Sequence, residues 1–567
     1  MGGIVTNQQS TEQNARFPKL AGEKSWFLDA GLGIFIHFGL YSILGGNEND
    51  FHGRTPREYR DELTPQFNPQ RFDADRWVEQ IKSSGARYLV VTTKHGEGFC
   101  LWPTGAHDYH VGNTPFGRDI IGELAEACHR QDFRFGLYFA ADNWYYAESG
   151  EFDQTVEAYS SQVSAMLDEL MSNYGPICEL WLDGSSSLLP PDRLGPILES
   201  CRKKQPQMVV NDRGVDRDSA GLLFGDFITP ERFFPVAVDP DHEFMEICDA
   251  MGLKGWGFHR EQQFHSGSGL ISRFVHARSL GANYLLNVEP SPSGEIRPEC
   301  VERLEAIGEW NRRHADAALH AGPNAAVPEE FFGQNRYTLG RSTQSESILF
   351  VHPHCWPRSD RVELAGVSGD IARVRLSGGS ERLEAVATEA GLEIRGLPAL
   401  APESNPVIEL HFDGKPTVAA AHTPPARPVL VEGVPTLVPA QHAELHTSLG
   451  GVSWHAYETY ANGAQTIGRW VHASSAAHWV LEVTRGGPYT LFAALGTTED
   501  QANATARFEA AGRSVEFTTV ATGHYTEGHT HRIGTLELPE GEVRLTLFSP
   551  SVERFFPNIH YLILIPE

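Results

Sequence analysis

Up to about His320 the chain repeats one pattern: a short apolar run, a polar junction, then a segment with apolar residues at helical spacing. The runs Gly33–His37, Tyr88–Thr93, Phe135–Phe139, Glu179–Asp183, Met208–Asn211 and Tyr284–Val288 read as buried parallel strands. Helical patterns at Asp73–Gly85, Ile120–Gln131, Thr155–Asn173 and Pro191–Lys204 separate several of them. Such regular β-α alternation predicts an α/β fold closed into a (β/α)8 barrel rather than an open doubly wound sheet. Polar residues fall at or just beyond the strands' C-terminal ends: His37, Lys94-His95, Asp142, Asp183 and Asn211 to Arg213. In a barrel these ends converge on one face, where active sites are built.

A chain of 567 residues exceeds one ordinary core, so further domains are expected. After Pro323 the pattern changes to short strands punctuated by Gly, Ser and Pro, among them Ser347–Val351, Ile371–Leu376, Leu392–Ile394 and Val407–Phe412. A Pro- and Ala-containing linker, His422 to Pro428, precedes a last all-β stretch with strands at Trp470, Trp479–Val483, Tyr489–Ala493, Leu545–Phe548 and Tyr561–Ile565. The expected organisation is a barrel over residues 1–322 and two all-β sandwich domains over 323–421 and 429–567.

With 73 acidic against 46 basic residues the chain carries a formal charge of −27, a field that repels a phosphate backbone, so no nucleic-acid partner is expected. A neutral sugar is compatible with that field. The seven cysteines (Cys100, Cys128, Cys178, Cys201, Cys248, Cys300, Cys355) are scattered and never form C-x-x-C, which predicts buried thiols rather than a disulfide framework or zinc site. No run is long and apolar enough to span a bilayer, and the N-terminus shows no basic-then-apolar leader. These features leave cytoplasmic and, with a processed leader, periplasmic or secreted placement open. H-E-x-x-H, a P-loop and a strand-linked G-x-G-x-x-G are all missing from the sequence, so neither a catalytic metal nor a cofactor is expected.

Asp183, in Leu180-Trp-Leu-Asp-Gly184, can project a carboxylate from a rigid strand into the site; an aspartate there can equally cap the next helix. A glycosidase needs a second carboxyl group, and Glu231 (in Thr229-Pro-Glu231) and Glu246 (in Met245-Glu-Ile-Cys248) both follow. Glu231 also fits a helix start. His37 and His95 can serve hydroxyls or proton transfer, Arg213 can hold a carboxylate ionised, and Trp181 and Trp256 can wall a sugar's C–H face or simply fill the core.

Taken together, Gly33-Ile-Phe-Ile-His-Phe-Gly39, Thr92-Thr-Lys-His-Gly-Glu-Gly-Phe99, Gly136-Leu-Tyr-Phe139, Leu180-Trp-Leu-Asp-Gly184, Val210-Asn-Asp-Arg213, Glu246-Ile-Cys248, Trp256-Gly257, Tyr284-Leu-Leu-Asn287 and Ile307-Gly-Glu-Trp310 resemble glycoside hydrolase family 29, the α-L-fucosidases, in family order over nearly all of the barrel. The resemblance implies a retaining exo-α-L-glycosidase acting by double displacement on an oligosaccharide or small L-glycoside, as a monomer or an oligomer. Asp183 matches its nucleophile; Glu231 fits an acid/base pattern seen in part of the family, with Glu246 in reserve. His37, His95, Tyr138, Trp181, Arg213 and Trp256 fall on positions resembling substrate contacts. The last stretch is loosely similar to carbohydrate-binding sandwiches of the family 6 and 35 type.

The chain departs from that pattern twice. The family lysine is usually followed by two histidines and Asp-Gly-Phe; here Lys94 is followed by His95, Gly96 and Glu97, so an imidazole is lost and the acidic side chain is longer. The usual Glu-Trp-Tyr after the first strand is absent, with Asn49-Asp50-Phe51 as nearest equivalent, which puts Asp50 and Glu97 among the expected contacts. Such changes leave three readings: an α-L-fucosidase, a relative shifted to an α-L-glucoside or α-L-galactoside, and a non-catalytic carbohydrate-binding protein.

Overall fold

A computed structural model describes residues 17–214, 225–232, 234–235, 244–319 and, with interruptions, 335–567. The described residues form two compact units, one holding 17–231 and 244–319, the other most of the chain beyond.

In the first unit seven strands make one parallel sheet. β1 (Leu32–Ile36) leads on one side through β2 (Tyr88–Lys94), β3 (Arg134–Ala140) and β4 (Glu179–Asp183) to β5 (Val209–Val210). On its other side lie Asn283–Val288 and then Glu246–Ala250. Residues 227–228 join the two edges, Phe227 by a parallel bridge to Asn211 and Ile228 by one to Met245. The ladder runs on through Asp226 N to Val210 O at 2.7 Å and Glu246 N to Ile228 O at 2.9 Å. The ring thus closes with eight strand positions, the expected (β/α)8 barrel. β2 is buried at every residue, as a strand covered on both faces must be.

The expected barrel strands and helices appear within a residue or two of their predicted ends. Asp73, Asp119 and Thr155 cap the helices Ala74–Ser83, Ile120–Arg130 and Val156–Asn173, accepting the N–H groups of Arg76, Gly122 and Ala158. Glu246–Ala250 is a strand the periodicity did not reveal, because Glu246 and Asp249 interrupt its apolar run.

Inside the barrel, Phe35, Tyr88, Val90, Tyr138, Trp181, Phe227, Cys248 and Leu285 share one core with Phe17, Phe27 and Phe244. Phe27 lies 4.5 Å from Phe227 and 5.5 Å from Phe244 between ring centroids, filling the end where the strands begin. That filling leaves the C-terminal mouth for a ligand.

In the second unit Ser347–Pro353, Ile371–Leu376 and Ile408–Phe412 share one sheet, and Arg361–Ala365, Gly391–Arg395 and Glu384–Ala387 another. Further along, Ala476–Val483, Gly541–Phe548 and Thr505–Ala510 lie in one sheet, and Gly487–Gly496, Asn558–Pro566 and His529–Leu538 in a second. A core including Trp479, Leu491, Phe508, Leu545 and Leu562 lies between them. Trp470, Cys355 and the linker His422–Pro428 lie outside the described residues. The six described cysteines are buried free thiols, and among the described residues no helix is long and apolar enough to cross a membrane.

Candidate active site

Asp183 is the last residue of β4, following the buried Leu180, Trp181 and Leu182. Gly184 turns the chain away with φ +62°, and a Cβ there would overlap Asp142, so the junction requires glycine. Tyr138, the β3 neighbour of Trp181, donates its hydroxyl to Asp183 Oδ2 at 3.0 Å. Arg213 Nη1 donates to Oδ1 at 3.2 Å. Burial acts to raise the Asp183 carboxyl, but the Arg213 guanidinium, together with His95 and the Gly184 N–H, outweighs it and holds the group below the usual aspartate range.

Arg213 is itself tightly held. Its Nε donates to Thr229 Oγ1 at 2.9 Å, Nη2 to Thr229 O at 3.2 Å, and its guanidinium lies 4.6 Å over the Trp181 ring. Its Nη1 also stands 3.0 Å from Glu231 Oε2. Asp183 and Glu231, 32% and 33% exposed, therefore meet at a single guanidinium nitrogen on the C-terminal rim. The loop carrying Glu231 is fastened: Thr229 Oγ1 donates to Asp212 Oδ1 at 2.8 Å, and Cys248 N donates to Pro230 O at 3.0 Å.

His37 and His95 line the same mouth, their ring centroids 5.8 Å apart. Asn287 Nδ2 donates to Trp256 O at 2.6 Å, so its Oδ1 is the acceptor 2.8 Å from His37 Nδ1. His37 Nδ1 therefore carries the proton and Nε2 offers a lone pair. Burial lowers both imidazoles to about 4, so they are neutral near pH 7. His95 stacks on Tyr138 with rings 7° from parallel, and its Nδ1 lies 3.6 Å from Glu97 Oε2. Burial pushes the Glu97 carboxyl up to about 8. Trp256 packs on His37 at 5.3 Å between centroids.

Two expected residues are placed elsewhere. Glu246 opens its strand, is fully buried, and accepts hydrogen bonds from Tyr88 Oη and, at 3.1 Å, from Trp181 Nε1. It sits at the filled end of the barrel, because the first residue of a barrel strand lies opposite the mouth. Asp50 is exposed and accepts the His52 N–H at 2.8 Å, closing a turn in its own loop. The buried carboxylate of that loop is Glu48, which accepts the backbone N–H of Trp256 at 2.9 Å and of Gly257 at 3.4 Å. Setting Glu48, rather than Asn49, against the glutamate of the family's Glu-Trp-Tyr would have found it.

A parallel barrel with paired carboxylates, imidazoles and aromatic walls at its C-terminal mouth has the make-up of a glycoside hydrolase. A family model for alpha-L-fucosidase matches residues 4–316. Tissue alpha-L-fucosidase of Rattus norvegicus is 28% identical over 370 residues, which cover 60% of this chain and 78% of the relative. The crystal structure of alpha-L-fucosidase from Vibrio sp. strain EJY3 shares the fold, with TM-score 0.67 at 22% identity over 96% of this chain and 98% of its own. A trapped covalent intermediate of a GH29 alpha-L-fucosidase from Bacteroides thetaiotaomicron with 2-fluoro-fucosyl fluoride aligns with TM-score 0.59 and 26% identity over 68% and 95% of the two chains. The chain belongs to the α-L-fucosidase family of glycoside hydrolases. That membership sets aside the non-catalytic reading, and the relatives do not favour the L-glucoside and L-galactoside alternatives.

Proposed function

We propose that the protein is a retaining exo-α-L-fucosidase, with Asp183 as nucleophile and Glu231 as acid/base. The meeting of both carboxylates at Arg213 Nη1 carries this reading. Their nearest oxygens are separated by less than the sum of the two contacts, 3.2 Å and 3.0 Å. Such a limit falls short of the roughly 6.5–9.5 Å that inverting pairs need for an intervening water.

In the first step an Asp183 oxygen attacks the anomeric carbon while Glu231 gives its proton to the departing glycosidic oxygen, leaving a fucosyl ester on Asp183. In the second step Glu231 takes a proton from water, whose oxygen attacks the same carbon and releases Asp183. Charge leaves Asp183 as the ester forms, and Arg213 is then free to stabilise the Glu231 carboxylate that appears. His37 Nε2 accepts from one sugar hydroxyl, His95 reaches another, and Trp256 covers a C–H face. Glu246 is not needed in this scheme; its bond to Trp181 Nε1 steadies the ring beneath Arg213.

Proton NMR of the sugar first released from an aryl α-L-fucoside tests the reading. Retention gives α-L-fucose first, and a β-anomer appearing first would overturn it. Asp183→Asn should lower kcat at least about 1000-fold with the fold intact, by analogy with removal of other catalytic nucleophiles.

A further inference from the structure

Where the family carries a second histidine, this chain has Gly96, and the volume beside it is filled by Trp144. A Cβ on Gly96 would stand 2.5 Å from Cζ2 and 2.6 Å from Cε2 of the Trp144 indole. Side chains larger than hydrogen are therefore excluded while the indole stays in place. Trp144 is well anchored there: its backbone N–H donates to Gly96 O at 2.7 Å, and its indole N–H to Asp142 Oδ2 at 2.8 Å. It opens the short helix Trp144–Glu148, which Asn143 caps through the Tyr146 N–H. The half-buried ring stands nearly perpendicular to His95 and to Phe51, 6.0 Å from each between centroids.

We propose that Trp144 is a specificity-determining residue of the sugar site, presenting an apolar wall where the family presents an imidazole. The assignment rests on the fucosidase reading above and extends it. With its N–H committed to Asp142, the indole offers a ligand only its ring edge and π-face, surfaces suited to sugar C–H bonds or the 6-methyl group. Gly96 and Trp144 form a matched small–large pair, so neither can change alone without opening a cavity or making a clash. The glycone's hydroxyl on this side is consequently not read by a hydrogen bond from position 96.

The test compares wild type with Trp144→Ala, Trp144→Phe, Gly96→His and the Gly96→His/Trp144→Ala double variant. Two readouts are used: steady-state kinetics on an aryl α-L-fucoside and calorimetric affinity for L-fucose, with thermal melts to monitor folding. Trp144→Ala should raise both KM and the L-fucose Kd about ten-fold while kcat stays within about three-fold, the size of one lost aromatic contact. Trp144→Phe, which keeps the apolar wall, should stay within about three-fold of wild type on both counts. Gly96→His should bind poorly, and adding Trp144→Ala should restore part of that loss. Equal L-fucose affinity in wild type and Trp144→Ala would overturn the inference, as would strictly additive losses in the double variant. An enzyme that binds L-fucose but leaves the fucoside uncut would count against the catalytic reading instead, with the affinities still deciding the role of Trp144.

Discussion

His95 Nδ1 and Glu97 Oε2 face each other across 3.6 Å, both buried and both without a hydrogen-bond partner. Leaving two such atoms unpaired costs about 1–3 kcal/mol each, so a small rotation that joins them is favourable. With Glu97 pushed up to about 8 by burial and His95 lowered to about 4, the proton near pH 7 lies on the carboxyl, from which that rotation would donate it to Nδ1. His95 then carries its own proton on Nε2, as a donor, opposite to His37. As pH rises through about 8 Glu97 ionises, Nδ1 must supply the proton, and Nε2 ceases to donate. Lys94, Asp142 and Glu48 are the charged groups that act on this carboxyl. We predict an alkaline loss of kcat/KM near pH 8 that Glu97→Gln removes, since an amide N–H donates to Nδ1 at any pH. A dinitrophenyl fucoside, whose leaving group needs no proton, isolates the effect from Glu231. Identical profiles for the two enzymes would refute it.

Arg213 supports both carboxylates, and its removal should be felt on the acid side. Activity that depends on ionised Asp183 is lost as pH falls through its pKa, which Arg213 keeps low. Arg213→Met should therefore move the acid limb of kcat/KM to higher pH. One lost charge-assisted hydrogen bond of about 1.5–3 kcal/mol implies roughly a 10- to 150-fold fall at the optimum. An unmoved acid limb would separate Arg213 from the ionisation of Asp183.

The first unit should lose stability as pH rises. Burial pushes Glu97 to about 8 and Glu246 and Glu289 to about 7. In the unfolded chain these carboxyls titrate near about 4.3, so between these limits the folded state holds more protons and stability decreases with pH. Asp183 and Asp249, held low after burial by Arg213 and Arg273, and His37 and His95, lowered to about 4 by burial, act in the opposite sense, but only below about pH 6.5, where an unfolded imidazole takes up its proton. Urea midpoints should fall from about pH 7 to about pH 8.5; a flat or rising midpoint contradicts the assignment.

Gly308 marks a close helix crossing. A Cβ there would overlap the Ser83 carbonyl oxygen at the end of the helix Ala74–Ser83. Because the obstacle is backbone, Gly308→Ala should destabilise by about 1–3 kcal/mol, readable as a lower denaturation midpoint with little change in KM.

The barrel and the carboxylate at the end of β4 were legible because apolar runs and strand-end polarity are local signals. Arg213 was expected to hold a carboxylate or to pair with a neighbouring aspartate, and in the structure its partners are Asp183 and Glu231. Glu246 misled because nothing in Glu-Ile-Cys says which end of a strand a residue occupies. Trp144 escaped notice because its meaning depends on Gly96, 48 positions earlier in the chain, and becomes visible only when β2 and β3 are side by side.

The barrel ring is unevenly built. Asp183 stands on a five-residue strand laddered on both sides, whereas the closure beside Glu231 consists of the two residues of β5 and isolated bridges at 227, 228 and 231. Asp183, the proposed nucleophile, stands on the firm sector and cannot shift without disturbing its neighbours. The thin sector can accept longer, shorter or redirected connections as long as one carboxylate still reaches Arg213. On the proposed mechanism, divergence in such a scaffold should therefore concentrate on how the proton is delivered and on the leaving group that receives it, while the proposed point of covalent attack stays put.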